Sequence, residues 1–585
     1  MKSTDRTKRA RFVGLFFLTF FLFVALSVRL VKLQYHQHDK FLDIASGQHK
    51  GWIEINALRG AIYDRNGVNL ASSMALPSVA VNPKKIVDPE KTAYLLSIAM
   101  GRKKSDVARL LKVPSTFVWV ERKADPARAE RVKKLKLPGV LVIEEPTGKR
   151  FYPQKGLACH VLGYTGIDDQ GLEGVEASYD LVLRGKAGHL CAEMDQSGRI
   201  LPEGQVEFVP PVPGRDIYLT IDQTVQFIAQ RELEETVKKY NAAGGTVLVY
   251  EPKTGDILAL ASYPGFDPSD PSTYSMNRIR NRAVCDSYEP GSTFKVILAA
   301  AALDSGKVTV KDEFYSGKSL EVGGYSLRNA DDGLYSPTGY ETVEGIITYS
   351  FNTGAATVGL RIGTKVLSSY VEKFGFGRLT GLDLSGETEG ILTPGKYWKP
   401  INLATISYGQ GIAVTPIQMV QAFGAIANEG TMMKPRLVRK IMDSNGKSLR
   451  DVQPQVVSQV LNPETSHHML KILENVCKNG TGKKANIPGY PVGGKTGTAN
   501  MVVNGAYASD RYIASFVGMV PADDPRLVML IKIDEPKGVI WGGAVAAPVF
   551  NKVGSQILWK LGIKPRLTPL AASDLKPNSR PEENN

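Results

Sequence analysis

Tyr288-Glu-Pro-Gly-Ser-Thr-Phe-Lys-Val-Ile297 is the stretch on which the reading of this chain turns. Pro290 and Gly291 break the backbone, and the run that follows, Phe294 and Val296 to Ala302, is apolar on nearly every side. A helix apolar all round is a buried helix, here with Ser292 in its first turn. Residues three apart share a helix face, so Lys295 stands one turn above the Ser292 hydroxyl in an apolar wall. Loss of water disfavours the ammonium form and leaves a neutral amine able to take the serine proton. The pair reads as a nucleophile with its base.

Ser-x-x-Lys alone is weak, and the chain carries its own controls. Ser573-Asp-Leu-Lys576 repeats the spacing in a polar tail, Ser275-Met-Asn277 duplicates Ser350-Phe-Asn352, and Lys253-Thr-Gly255 duplicates Lys495-Thr-Gly497. Order and context decide between the copies. Lys253-Thr-Gly255 lies between the strand-like runs Val247–Tyr250 and Ile257–Leu260, where Pro252 and Gly255 make it a hairpin turn. Gly480-Thr-Gly-Lys-Lys484 hints at a phosphate loop, but the full pattern is absent, and it reads as a tight turn.

The remaining motifs suit acyl transfer. Ser350-Phe-Asn352 follows a helical run, Val343–Tyr349, at a break marked by Gly354. Two polar side chains there can face one cleft, a hydroxyl to relay a proton and an amide to hold a substrate amide. Gly493-Gly-Lys-Thr-Gly-Thr-Ala499 reads as a strand whose glycines admit a second backbone. An extended peptide could lie along it, with Lys495 and Thr496 near its carboxylate. The backbone N–H groups of Ser292 and Thr498 would form the oxyanion hole.

Ser292/Lys295, Ser350/Asn352 and Lys495/Thr496/Gly497 follow one another at intervals of 58 and 145 residues. With the flanks Glu-Pro-Gly-Ser-Thr-Phe-Lys and Gly-Lys-Thr-Gly-Thr-Ala, this series resembles the penicillin-binding transpeptidases. Arg59-Gly-Ala-Ile-Tyr-Asp-Arg-Asn-Gly67, Arg150-Phe-Tyr-Pro153, His160-Val-Leu-Gly-Tyr-Thr-Gly166 and Gly171-Leu-Glu-Gly-Val-Glu176 resemble blocks of the class B members. Tyr408-Gly-Gln-Gly411, Thr415-Pro416 and Gly542-Gly-Ala-Val-Ala-Ala-Pro548 resemble further transpeptidase-domain blocks. Within that class the chain looks most like the division-specific penicillin-binding protein 3 branch.

The resemblance implies a peptidoglycan D,D-transpeptidase, acylated by β-lactams, that acts on stem peptides ending in D-Ala-D-Ala. Ser292, Lys295, Ser350, Asn352 and Lys495 would be catalytic, and Thr496, Gly497 and Thr498 would bind substrate. It also implies two kinds of partner: a polytopic lipid II glycosyltransferase of the shape, elongation, division and sporulation class, and bitopic division proteins. Elongation-type membership, D,D-carboxypeptidase action and β-lactam sensing on the same fold remain open alternatives.

Composition is consistent with this. A chain of 585 residues exceeds one core. The net charge of +14 is dispersed and accompanied by no nucleic-acid motif, so an anionic polymer or membrane surface explains it without nucleic acid. The four cysteines include no Cys-x-x-Cys, and His467 and His468 lie on different helix faces, so neither metal nor cofactor is expected.

Lys2, Arg6, Lys8, Arg9 and Arg11 precede Phe12–Val28, seventeen residues without a charge. That length favours a retained membrane helix over a cleaved leader, and the leading positives place the N-terminus in the cytoplasm. The localisation expected is therefore the bacterial inner membrane, single-pass, with the catalytic domain outside. The expected fold class is α+β. Its divisions are a cytoplasmic tail (1–11), a transmembrane helix (12–33), an elongated mixed pedestal of the class B dimerisation type (34–208) and a Pro-rich linker (209–215). A transpeptidase domain with an antiparallel sheet flanked by helices (216–560) and a disordered tail (561–585) complete it.

Overall fold

A computed structural model describes residues 3–41, 50–55, 57–144, 148–193, 206–330, 336–503 and 505–566. Ser573-Asp-Leu-Lys576 and most of the expected tail lie outside these residues. The described chain falls into two compact units, one drawn from Met1–Ala57 and Gly185–Pro213, the other from Leu58–Arg184 and Gly214–Asn585. One of its cuts, at Pro213/Gly214, falls inside the expected linker 209–215, while those at Ala57/Leu58 and Arg184/Gly185 fall within the expected pedestal.

The first unit opens with the helix Ser3–Val31, extended by a wider π turn over Lys32–His36. The helix thus starts before the apolar run, and the segment Lys8–His36 is long and apolar enough to cross a membrane. Its two internal hydroxyls are satisfied within the helix. Thr19 donates to Leu15 O (3.0 Å) and Phe16 O (2.9 Å), and Ser27 donates to Phe23 O (2.9 Å). An apolar surround requires such self-sufficiency. The same unit holds a three-stranded antiparallel sheet of Lys50–Ile55, Gly188–Glu193 and Val206–Val209.

In the second unit, Val118–Glu121, Pro77–Val81 and Val140–Glu144 form an antiparallel sheet. Its Val79, Val81 and Val120 pack with Ala93, Leu96, Met100, Val107 and Val132 from three short helices. A six-stranded sheet then draws from both sides of residues 209–215. Ile62–Tyr63, Asn69–Met74 and Lys149–Phe151 join Asp216–Leu219, Val438–Met442 and Ser448–Asp451, with Ile217 and Ile62 paired in parallel. Hydrogen-bonded strands of the second unit thus come from both sides of the Pro-rich segment, although one cut between the compact units, at Pro213/Gly214, falls within it.

Three of the sequence blocks meet on one carboxylate. Fully buried Glu176 accepts from Arg59 Nε (2.7 Å) and Arg150 Nε (2.6 Å), while Arg59 Nη1 also reaches Asp180 (2.6 Å). A Cβ on Gly60 would fall 2.0 Å from Arg215 O, so the residue after Arg59 has no room for a side chain.

The C-terminal part of the second unit is built on a five-stranded antiparallel sheet, ordered Asp256–Tyr263, Gly244–Glu251, Leu527–Asp534, Ala506–Val520, Gly493–Val503. Helices Gln223–Lys239 and Ala547–Lys560 cover one face through Val247, Phe516, Met529, Ile531 and Phe550. Helices Lys295–Asp304 and Pro416–Ala427 cover the other through Leu248, Val517, Leu530 and Phe423. Burial on both faces explains why Leu527–Asp534 is buried at every position and shows no alternation. Gly255, at φ +82°, closes the hairpin expected around Lys253-Thr-Gly255.

The tail begins later than position 561. Tyr490 donates to Ile563 O (2.6 Å), Arg566 N donates to Gly489 O (2.8 Å), and Arg566 pairs with Asp523. Residues 561–566 therefore dock on the domain.

Candidate active site

Ser292 sits in the single turn Gly291–Thr293 that leads into the helix Lys295–Asp304. Gly291 adopts φ +53° and donates to Gly409 O (3.0 Å), and a Cβ on Gly409 would meet Gly291 O at 2.1 Å. The Tyr408-Gly-Gln-Gly411 turn is thus pressed onto the nucleophile turn by absence of side chains. From the other side, a Cβ on Gly497 would meet Ser515 Oγ at 2.4 Å and Pro290 O at 3.0 Å. Gly497 is what lets the Lys-Thr-Gly strand approach Ser292.

Lys295 is fully buried. Its Nζ lies 2.7 Å from Ser350 O, 2.8 Å from Asn352 Oδ1 and 3.2 Å from Ser350 Oγ. Burial, then the neighbouring Lys495 amine, hold its pKa well below the ordinary lysine range. A neutral amine can keep the two short contacts as donor, which leaves its lone pair to take a proton from a hydroxyl.

The helix Val343–Tyr349 ends at Ser350, which takes the left-handed conformation (φ +67°), and the next helix begins at Asn352. The break is therefore at Ser350 itself. Gly354, expected to mark it, lies inside the second helix, where a Cβ would meet Ser316 Oγ at 2.5 Å and Ile346 at 2.7 Å. A non-glycine residue held at positive φ stores about 1–3 kcal/mol of strain, and such residues cluster at functional sites. Asn329 fixes the second helix by accepting from Asn352 N (2.7 Å) and Thr353 N (3.2 Å).

Lys495 is also fully buried, and burial pushes its pKa down to about 7. Its amine reaches Thr496 O (3.3 Å) and Thr496 Oγ1 (3.4 Å). Thr496 Oγ1 in turn lies 2.8 Å from Thr481 Oγ1, and Thr498 Oγ1 accepts from Gly542 N (3.1 Å). Ser292, Ser350, Thr496 and Thr498 line one cavity of about 390 Å³, walled by Tyr349 and Trp541. Lys295 lies one contact behind this wall through Ser350, Lys495 one contact behind it through Thr496, and Asn352 stands behind Lys295.

Several neighbours carried no local sequence signal. Tyr349, Trp541 and Asn329 look like ordinary loop and helix residues until the fold assembles them. Glu289 is half-buried, with its pKa raised by burial. It accepts from Gly411 N (2.8 Å) and Tyr507 OH (3.1 Å), tying the nucleophile turn to the hairpin beyond the Lys-Thr-Gly strand. Thr481 lay within the Gly480–Lys484 stretch, whose lack of a phosphate-loop pattern concealed its part in the cavity.

This arrangement is a serine beside a desolvated lysine, a second serine and an asparagine on that lysine, and a Lys-Thr-Gly edge strand. Residues 245–554 match the penicillin-binding protein transpeptidase domain, and residues 54–219 match the penicillin-binding protein dimerisation domain. The chain belongs to the penicillin-binding transpeptidases. The transpeptidase is 38% identical over 577 residues to stage V sporulation protein D of Bacillus subtilis, covering 97% of this chain and 88% of that one. It is 30% identical over 528 residues to the peptidoglycan D,D-transpeptidase FtsI of Escherichia coli, covering 88% and 85%. Penicillin-binding protein 3 of Mycobacterium tuberculosis, solved with aztreonam, superposes with a TM-score of 0.69 at 26% identity, covering 88% and 99%. These relatives make the transpeptidase a class B, FtsI-like serine D,D-transpeptidase.

Proposed function

We propose that this chain is a membrane-anchored enzyme that cross-links peptidoglycan stem peptides at the septum through a Ser292 acyl-enzyme. The observation that carries the reading is the Lys295 amine, stripped of water and placed against Ser350 and Asn352.

Ser292 Oγ attacks the carbonyl of the penultimate D-alanine as its proton passes to Lys295. The amides of Ser292 and Thr498 hold the developing oxyanion, each worth about 10²- to 10³-fold in rate in comparable sites. As the C–N bond breaks, Ser350 hands its proton to the leaving D-alanine and takes the one Lys295 gained, which leaves the amine neutral again. Asn352 holds the donor amide, and Lys495, Thr496 and Thr498 hold its terminal carboxylate. An acceptor amine on a neighbouring strand then attacks the ester, loses its proton to the same base and restores the serine. A β-lactam acylates the same oxygen by ring opening.

The helix of residues 12–33 anchors the enzyme with its N-terminus inside and the catalytic domain outside. This helix and the adjoining pedestal receive a polytopic lipid II glycosyltransferase, alongside bitopic division proteins. Likeness to FtsI supports division as the setting. The 38% identity to stage V sporulation protein D favours a second reading, wall synthesis during sporulation. Depletion decides between them: filaments at vegetative growth support the division septum, and normal vegetative cells with failed spores support the other. At the molecular level, a fluorescent penicillin should label the ectodomain covalently, and Ser292→Ala should abolish the label while the thermal transition is retained. Label persisting in Ser292→Ala would refute the nucleophile.

A further inference from the structure

The turn Gly480-Thr-Gly-Lys-Lys484 has no part in the chemistry above, yet it is fixed on three sides against the active cavity. A Cβ on Gly480 would lie 2.2 Å from Thr348 O, two residues before Ser350. A Cβ on Gly543 would lie 2.6 Å from Thr481 O, and Thr481 Oγ1 meets Thr496 Oγ1 at 2.8 Å. Such close backbone approaches, made possible by glycine, hold the turn in one position. The single turn Lys483–Ala485 then carries Lys484 into the cavity lining, beside Thr481, Thr496 and Thr498.

Lys484 is exposed and makes no ion pair among the described residues. No acidic side chain lines the cavity among those residues either. The two lysines already assigned are poor sources of standing positive charge. Both are fully buried, and burial drives both toward the neutral amine. Among the described residues the cleft thus holds one unpaired exposed cation and no competing carboxylate, an arrangement that concentrates anionic ligands.

We infer that Lys484 is a carboxylate-recognition residue, the fixed positive charge by which the cavity selects peptides bearing a free carboxylate. The inference rests on the transpeptidase reading and names part of its specificity. That carboxylate has two possible sources. It is the C-terminal group of the donor, read during acylation, or a carboxylate of the acceptor, read during aminolysis. Lys484 is a binding residue and takes no proton in either step.

The test uses the full-length protein in detergent with Lys484→Ala, Lys484→Glu and Lys484→Arg. Acylation is followed with benzylpenicillin and its methyl ester, and aminolysis of a thioester donor with D-alanine and D-alaninamide as acceptors. The quantity read is the acid-to-neutral rate ratio in each step, so a general loss of activity cancels. An exposed charge pair predicts that Lys484→Ala lowers the ratio about two- to fivefold, more for Glu, with Arg retaining it. The effect should fade between 0.05 and about 1 M salt, where the screening length falls to about 3 Å. Loss confined to acylation assigns the donor carboxylate, and loss confined to aminolysis assigns the acceptor. Ratios unchanged in both steps for the Ala and Glu variants overturn the inference. A wild-type protein that benzylpenicillin does not acylate at Ser292 would instead refute the proposed function.

Discussion

Replacing Lys295 separates a base from a mere charge. In Lys295→Ala the amine is gone, but Asn352, Lys495, Thr496, Thr498 and the strand backbone remain, so reversible binding of a β-lactam should survive. Loss of a positioned general base costs about 10²- to 10⁴-fold in rate. At about 1.36 kcal/mol per decade that is about 3–5 kcal/mol on the acylation barrier. The same change strands Asn352 Oδ1 and Ser350 O without their donor. An unsatisfied buried acceptor costs about 1–3 kcal/mol in stability, so the melting temperature is measured alongside to show that the fold persists. Lys295→Arg keeps the positive charge but cannot go neutral, and should acylate no faster than the alanine variant. The assay is the second-order acylation rate against pH. In wild type, the rate should climb as pH rises through the lowered Lys295 pKa, since only the free amine accepts the serine proton. That climb should be missing from both variants. Near-normal acylation by Lys295→Arg would refute the base assignment and move the role to Ser350 coupled to Lys495.

Three further outcomes follow from other parts of the molecule. Lys495, with a pKa near 7 in the free enzyme, loses its charge above that pH. Acylation by benzylpenicillin should therefore fall on the alkaline side while acylation by its methyl ester does not, and parallel profiles would exclude Lys495 from carboxylate binding. Glu176→Ala leaves Arg59 and Arg150 buried without their shared carboxylate. Breaking a buried pair in this way costs about 3–5 kcal/mol, so chemical denaturation should show a large loss, and a change under 1 kcal/mol would be inconsistent with the network. His160 is buried and donates from Nε2 to Arg278 O (2.7 Å), with a pKa pushed down by burial to about 4. The folded state thus resists protonation that the unfolded chain accepts below about 6.5. The associated stability is present above that pH and is lost as pH falls from 6.5 toward 4, amounting to about 3 kcal/mol. Melting temperatures of wild type and His160→Gln should diverge least at pH 4, and a wild-type profile flat over that window would contradict the burial argument.

The sequence by itself determined the family and most of the local structure around the candidate site. An apolar run with one lysine at its foot can only be a buried helix carrying a desolvated amine, and that inference needs no neighbours. The helix Val343–Tyr349, the hairpin at Gly255 and the glycine-laden strand follow from periodicity and turn chemistry, which are properties of short segments. Tertiary structure decided what depends on residues far apart in the chain. Gly354 looked like a helix break but serves helix packing, while the break fell on Ser350, because a left-handed serine is tolerated only where surrounding contacts hold it. The linker prolines mark one cut between compact units, at Pro213/Gly214, yet the strand that follows pairs Ile217 with Ile62 from far earlier in the chain. Tyr349, Trp541 and Lys484 reach the cavity from separate elements, and Asn329 braces Asn352 behind it, contacts that no short segment carries by itself. Their roles come from the distances that folding closes.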